Sequence, residues 1–122
     1  PTRRSSDLLF SSLLFRPAAA ETVVIDNRSD FFSVQGSWST GTMAGYHIVD
    51  YRYIASSLTE TATATFAPQF SSAGVYEVAV WYVQGANRPT DAKFIIHHAG
   101  GAATISVDQT TSGSRWVTLG QW

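Results

Sequence analysis

The run GVYEVAVWYVQG, residues 74–85, constrains the fold more than any other stretch of the chain. Side chains on an extended strand alternate between its two faces. Tyr76, Val78, Val80 and Tyr82 therefore share one face, and Val75, Glu77, Ala79, Trp81 and Val83 the other. Both rows are largely apolar, which predicts a central strand with Tyr76, Val78, Val80 and Tyr82 in the core. Trp81 lies on the opposite face from that core row.

The remainder from Glu21 onward has the same character. ETVVID is short and β-branched, TATATFAP alternates before Pro68, and RWVTLGQW reads as a last strand. FSVQGSWST carries Gly36 inside an extended pattern, which predicts a bulge or bend. KFIIHH and AATISVDQ flank AGG and predict a hairpin whose glycines supply positive φ in the turn. No stretch holds apolar residues at helical spacing for long, and no internal repeat is visible. Short strands joined by Gly, Pro, Ser and Asn turns define an all-β chain, an antiparallel β-sandwich.

A length of 122 residues allows one domain with one core. Hydrophobic residues make up 44 % and charged residues only 14 %, a composition able to fill that core. The net charge of −1 lacks the basic field with which proteins neutralise nucleic-acid phosphates. The absence of cysteine excludes disulfides and thiolate metal sites. No apolar run is long enough to span a bilayer.

The first twenty residues are expected to lie outside the fold. PTRRSSDL, residues 1–8, resembles a translated sequencing-adapter tail; otherwise Arg3 and Arg4 would be the basic n-region of a signal peptide. LLFSSLLF, then RPAAA, fits the apolar core and A-x-A site of a secretory signal cut after Ala20. Residues 9–20 are thus a signal-peptide remnant or a linker, and residues 21–122 the domain. That segment holds five basic and eight acidic residues.

His97 and His98 are adjacent, so on a strand they diverge: His98 joins Phe94 and Ile96, and His97 joins Lys93 and Ile95. A single metal ion needs its ligands within about 2.0–2.1 Å, so the doublet is no metal pair. His98 is expected at the core edge, hydrogen-bonded to a neighbour, or at the rim of a ligand pocket. Among the aromatics, Trp38, Tyr46 and Trp81 are candidates for stacking on a ligand, with packing as the competing role. Asp50 and Arg52 share one face of DYRY, and Asn87 and Arg88 follow the central strand in a turn. Brought together, these polar residues would suit hydroxyls or a carboxylate; alternatively they lock two loops. No nucleophile elbow, phosphate loop or spaced carboxylate pair occurs, so no catalytic residue, cofactor or metal site is assigned. Asp26, Asp30 and Asp108 are the carboxylates open to a calcium ion, although no D-x-D-x-D run is present.

Several patches together resemble one known family: VIDN (24–27), GSWSTG (36–41), DYRY (50–53), AGVYEVAVWY (73–82), ANRPTDA (86–92), HHAGG (97–101) and SVDQTTSGSRWVTLG (106–120). In order and spacing they are similar to the golvesin C-terminal-like domain, which also occurs on bacterial xanthan-lyase-like proteins. The resemblance implies a jelly-roll-like sandwich acting as a secreted or periplasmic accessory module, without catalysis of its own. Its implied partners are a polysaccharide or cell-envelope glycan and the neighbouring domains of a larger protein. The alternative is a structural or protein–protein module. In the family the RWVTLG strand is followed by a further segment and strand. The resemblance therefore implies a sandwich short of its closing strand, with one sheet edge unpaired.

Overall fold

The computed structural model describes residues 7–17, 22–55, 62–70 and 73–122. The expectations for residues 1–6 and for a cut after Ala20 lie outside the described residues. All regular structure among the described residues is extended, and every strand pairing is antiparallel.

A four-stranded sheet carries the core. Its strands are β2 (Ser12–Pro17), β3 (Val23–Asp26), β8 (Tyr76–Trp81) and β11 (Trp116–Gln121), in the order β11-β8-β2-β3. The register places Val117, Val80, Leu13 and Ile25 side by side across it. Because side chains alternate, this row faces inward, and Leu13, Ile25 and Val80 are 5 %, 1 % and 0 % exposed. Tyr76, Val78 and Tyr82 join the same buried cluster, as the parity of residues 74–85 requires.

The opposing layer consists of two strand pairs. β4 (Phe32–Gln35) pairs with β7 (Thr63–Phe66), and β9 (Ala92–His98) with β10 (Gly101–Val107). Their inward residues Phe32, Ala64, Phe66, Phe94, Ile96 and Val107 pack on the four-stranded sheet, completing a β-sandwich. The β9–β10 hairpin turns at Ala99-Gly100, followed by Gly101 at φ 131°, a conformation that favours glycine. β1 (Asp7–Phe10), β6 (Tyr51–Ala55) and β5 (Ser39–Gly41) form a further sheet in the order β1-β6-β5. Gly36, at φ 101°, is the bend of the bulge or bend expected there, and it separates β4 from β5.

Residues 12–17, expected to be part of a signal-peptide remnant or linker, are extended and take part in the four-stranded sheet. β2 lies between β8 and β3, hydrogen-bonded to both, and buries Leu13, Leu14 and Phe15. Its apolar run is an inner strand, and β8 is flanked on both sides.

Candidate functional site

The face of the four-stranded sheet turned away from the core carries one continuous row: Trp116, Trp81, Ser12 and Asp26. Trp116 and Trp81 are direct cross-strand partners, and their rings meet edge to face with centroids 5.4 Å apart at 81°. Both are half-buried, so part of each ring stays open to solvent.

A loop over residues 42–50 folds onto this row. His47 lies against both tryptophans, with ring centroids 4.8 Å from Trp81 and 5.0 Å from Trp116. Trp81 Nε1–H donates to the Gly45 carbonyl at 2.8 Å. Gly45 has φ 113°, a conformation that favours glycine, and a Cβ there would have to displace the Ser114 hydroxyl, 2.5 Å away. The Ser11 hydroxyl accepts from His47 N–H at 3.1 Å and faces the carbonyls of His47 and Asp50. Ile48 adopts φ 71° while 62 % exposed. A β-branched side chain is strained in that region, at a cost of about 1–3 kcal/mol, and such strain concentrates at functional loops.

Asp50 anchors the end of the loop. It is 1 % exposed and accepts from Asn27 Nδ2 at 2.8 Å and from Arg28 Nε at 2.8 Å, with Arg28 Nη2 on the same oxygen. The Arg28 hydrogen bonds hold the Asp50 carboxyl below the usual carboxylate range, against the opposing effect of burial. Asn27 and Arg28 follow β3 directly, so the turn after Asp26 and the 42–50 loop form one hydrogen-bonded unit.

Ser12 links this unit to the aromatic row. Its hydroxyl donates to Asp26 Oδ1 at 2.8 Å and contacts His47 Nδ1 at 2.9 Å. Serine, histidine and aspartate meet here, but not as a hydrolytic triad. The carboxylate takes the serine proton directly, and Ser12 is fully buried, whereas a triad carboxylate orients the histidine.

Most residues singled out from the sequence sit elsewhere. Trp38 packs on the core and shares its Nε1–H between the carbonyls of Gln35 and Thr63, at 3.1 and 3.2 Å. Tyr46 packs with Tyr51, Tyr53 and Val83 in a separate small cluster. The ion-pair partner of Asp50 is Arg28; Arg52 instead places its guanidinium carbon 5.9 Å from the Phe32 ring centre. Arg88 is buried and donates to Asn87 Oδ1 at 2.7 Å, so these neighbours bond to each other within their turn. His98 is half-buried beside Trp122, and its Nδ1 accepts from Gly100 N–H at 3.2 Å, while His97 is exposed. The doublet diverges, as strand alternation demands. Trp81 alone of the sequence candidates lies in the aromatic row, and Asp50 holds the loop that covers it. Trp116, His47 and Ser12 join the candidate site without having been singled out, and Asp26, open in the sequence to a calcium ion, here accepts from Ser12. Among the described residues, no group of three or more His, Cys, Asp or Glu is arranged to hold a metal ion.

Fold and site together define a two-layer antiparallel domain with an aromatic patch on one outer sheet face. Residues 23–122 match the Golvesin C-terminal domain family, and the chain belongs to it. This is a non-catalytic type of module, found within larger proteins that include enzymes. The chain is 28 % identical over 103 residues to "Xanthan lyase" of Bacillus sp. (strain GL1), covering 83 % of this chain and 11 % of that protein. It is 27 % identical over 99 residues to "Golvesin" of Dictyostelium discoideum, covering 80 % of this chain and 17 % of that protein. The fold is shared with the solved structure of Paenibacillus xanthan lyase at TM-score 0.76 and 24 % identity, over 92 % of this chain and 10 % of that one. The chain thus spans a small part of each relative. No helix among the described residues is long and apolar enough to cross a membrane.

Proposed function

We propose that the chain is a secreted accessory module that binds a polysaccharide or cell-envelope glycan and targets a larger protein to it. The observation that carries this reading is the half-open Trp81–Trp116 pair with His47 against it on an outer sheet face. Indole faces stack on the C–H faces of sugars, and nearby polar groups select hydroxyls. Kinship with a xanthan lyase makes an extracellular polysaccharide the first ligand class to try. The site residues are then Trp81, Trp116 and His47, with Asp50 holding the loop. Trp38, Tyr46, Arg52, Asn87, Arg88 and His98 serve the scaffold.

The test is retention of the chain in native gels cast with xanthan and a panel of other polysaccharides. Retention that Trp81→Ala and Trp116→Ala each abolish, with circular dichroism unchanged, supports the reading. Absence of retention across the panel by a folded wild-type chain refutes it.

A second reading rests on Met43, Ile48 and Val49, which are 60 %, 62 % and 45 % exposed on the same loop. An apolar loop tip also suits a protein neighbour, making the chain a structural or protein–protein module of an extracellular multidomain protein. Light scattering that shows self-association, lost on Ile48→Asp, together with no glycan retention, favours that alternative.

A further inference from the structure

The protons around Ser12 can be counted. A serine hydroxyl has one proton, and an ionised carboxylate only accepts. Ser12 therefore gives its proton to Asp26 Oδ1, 2.8 Å away. The 2.9 Å contact between Ser12 Oγ and His47 Nδ1 is then a hydrogen bond only if His47 Nδ1 carries the proton. Neutral His47 is thereby held as the Nδ1–H form, in a directed chain from His47 through Ser12 to Asp26. The opposite nitrogen, Nε2, has a free lone pair and no hydrogen-bond partner among the described residues. Ring contacts with Trp81 and Trp116, and the Ser11 bond to its backbone N–H, fix where the imidazole sits.

From this geometry we infer that His47 is the specificity-determining acceptor of the aromatic site: its bare Nε2 selects a ligand that presents a hydroxyl donor beside the tryptophan pair. Ser12 and Asp26 are positioning residues that act through the tautomer. The inference rests on the glycan reading for the ligand class, but its tautomer half stands independently of any ligand. A site that accepts a hydrogen bond discriminates strongly against a ligand lacking the donor, because the buried partner goes unpaired. An O-methylated sugar keeps its C–H faces and ring oxygens but loses those donors, so it is the diagnostic competitor.

The experiment has two arms on the full chain. Long-range 1H–15N NMR at neutral pH reads the tautomer: His47 is expected as Nδ1–H with Nε2 unprotonated. Ser12→Ala removes the acceptor for that proton and should move His47 toward the Nε2–H form that free imidazole side chains prefer. In the second arm, affinity is measured with xanthan and with its O-methylated derivative. Wild type is expected to favour the unmodified polymer by on the order of tenfold, about one hydrogen bond. His47→Asn keeps a donor toward Ser12 but reaches no further, and should erase that preference; His47→Gln, whose amide extends to the Nε2 position, should restore part of it. A wild-type His47 in the Nε2–H form overturns the inference and leaves the glycan reading standing. A preference for unmodified xanthan that survives His47→Asn, with the fold intact, also overturns it. No binding of xanthan by wild type with the Nδ1–H form present removes the glycan reading for this polymer, and with it the assignment of its hydroxyl to His47.

Discussion

Replacing Leu13 by alanine tests whether residues 12–17 belong to the core. Leu13 is 5 % exposed and is flanked in register by Val80 and Ile25, at 0 % and 1 %. Neighbours held on both sides by strand hydrogen bonds cannot collapse far into the space left behind. Leu→Ala at such a site costs about 2–5 kcal/mol, and restricted relaxation puts this one near the middle, roughly 3–4 kcal/mol. A domain of this length has a total stability of about 6–18 kcal/mol. Its unfolding entropy, about 2.1 cal/mol/K per residue, converts the loss to a midpoint drop of roughly 12–15 °C. The assay is thermal and urea unfolding followed by circular dichroism and tryptophan fluorescence. Val24→Thr on the same sheet is the control: Val24 is 42 % exposed and faces away from the core, so a change within about 0.5 kcal/mol is expected. A Leu13→Ala loss under about 1 kcal/mol refutes the placement of β2. So does a chain starting at residue 22 that unfolds cooperatively at the wild-type midpoint.

Asp50→Asn leaves the buried Asn27 amide and the Arg28 guanidinium without their carboxylate and should cost roughly 2–3 kcal/mol by urea unfolding. The folded Asp50 carboxyl is depressed, mainly by its Arg28 hydrogen bonds. Its contribution is complete above the ordinary carboxylate range and lost as pH falls through the depressed value, so Asp50→Asn should flatten the acid limb of the stability profile. Tyr82 is buried and its hydroxyl faces the carbonyls of Thr111 and Asp108, at 2.6 and 3.2 Å. Tyr82→Phe should cost about 1 kcal/mol. Burial raises the Tyr82 phenol, so its contribution is present below the ordinary tyrosine range and lost as pH climbs through the raised value; the variant should lose less than wild type on alkalinisation. Ile48→Gly relieves a strained φ of 71° at a 62 % exposed position and should stabilise the chain by about 1 kcal/mol in the same urea assay.

Alternation made the centre of the fold legible. The parity of residues 74–85 assigns the core row of β8, and the same rule separates His97 from His98. It could not distinguish LLFSSLLF from a secretory leader, because a short apolar run ending in proline and alanines satisfies both descriptions. Burial of Leu13 and Leu14 on opposite faces of β2 erases the apolar–polar alternation that would have marked a strand. The Arg28 partner of Asp50 was hidden for a related reason. Asp50 lies just before β6, outside the strand, so face parity does not govern it, and its carboxylate turns to a residue 22 positions earlier. Trp116 was hidden by register: only the pairing of β11 with β8 shows that it stands opposite Trp81.

The histidines show what kind of information locates a site in this fold. His97 and His98 draw notice as a doublet, yet a strand sends adjacent side chains apart, and their surroundings are solvent on one side and the core edge on the other. His47 stands alone in a loop with no motif around it. Its place depends on Ser11 and Ser12, some 35 residues earlier, and on two tryptophans that come together only through sheet pairing. A sandwich groups residues on its outer faces through cross-strand rows capped by loops, so the members of such a group are neighbours in register and distant in sequence. Spacing motifs, which report residues close in the chain, are therefore silent about it, while the core row that supports it is readable from a single strand.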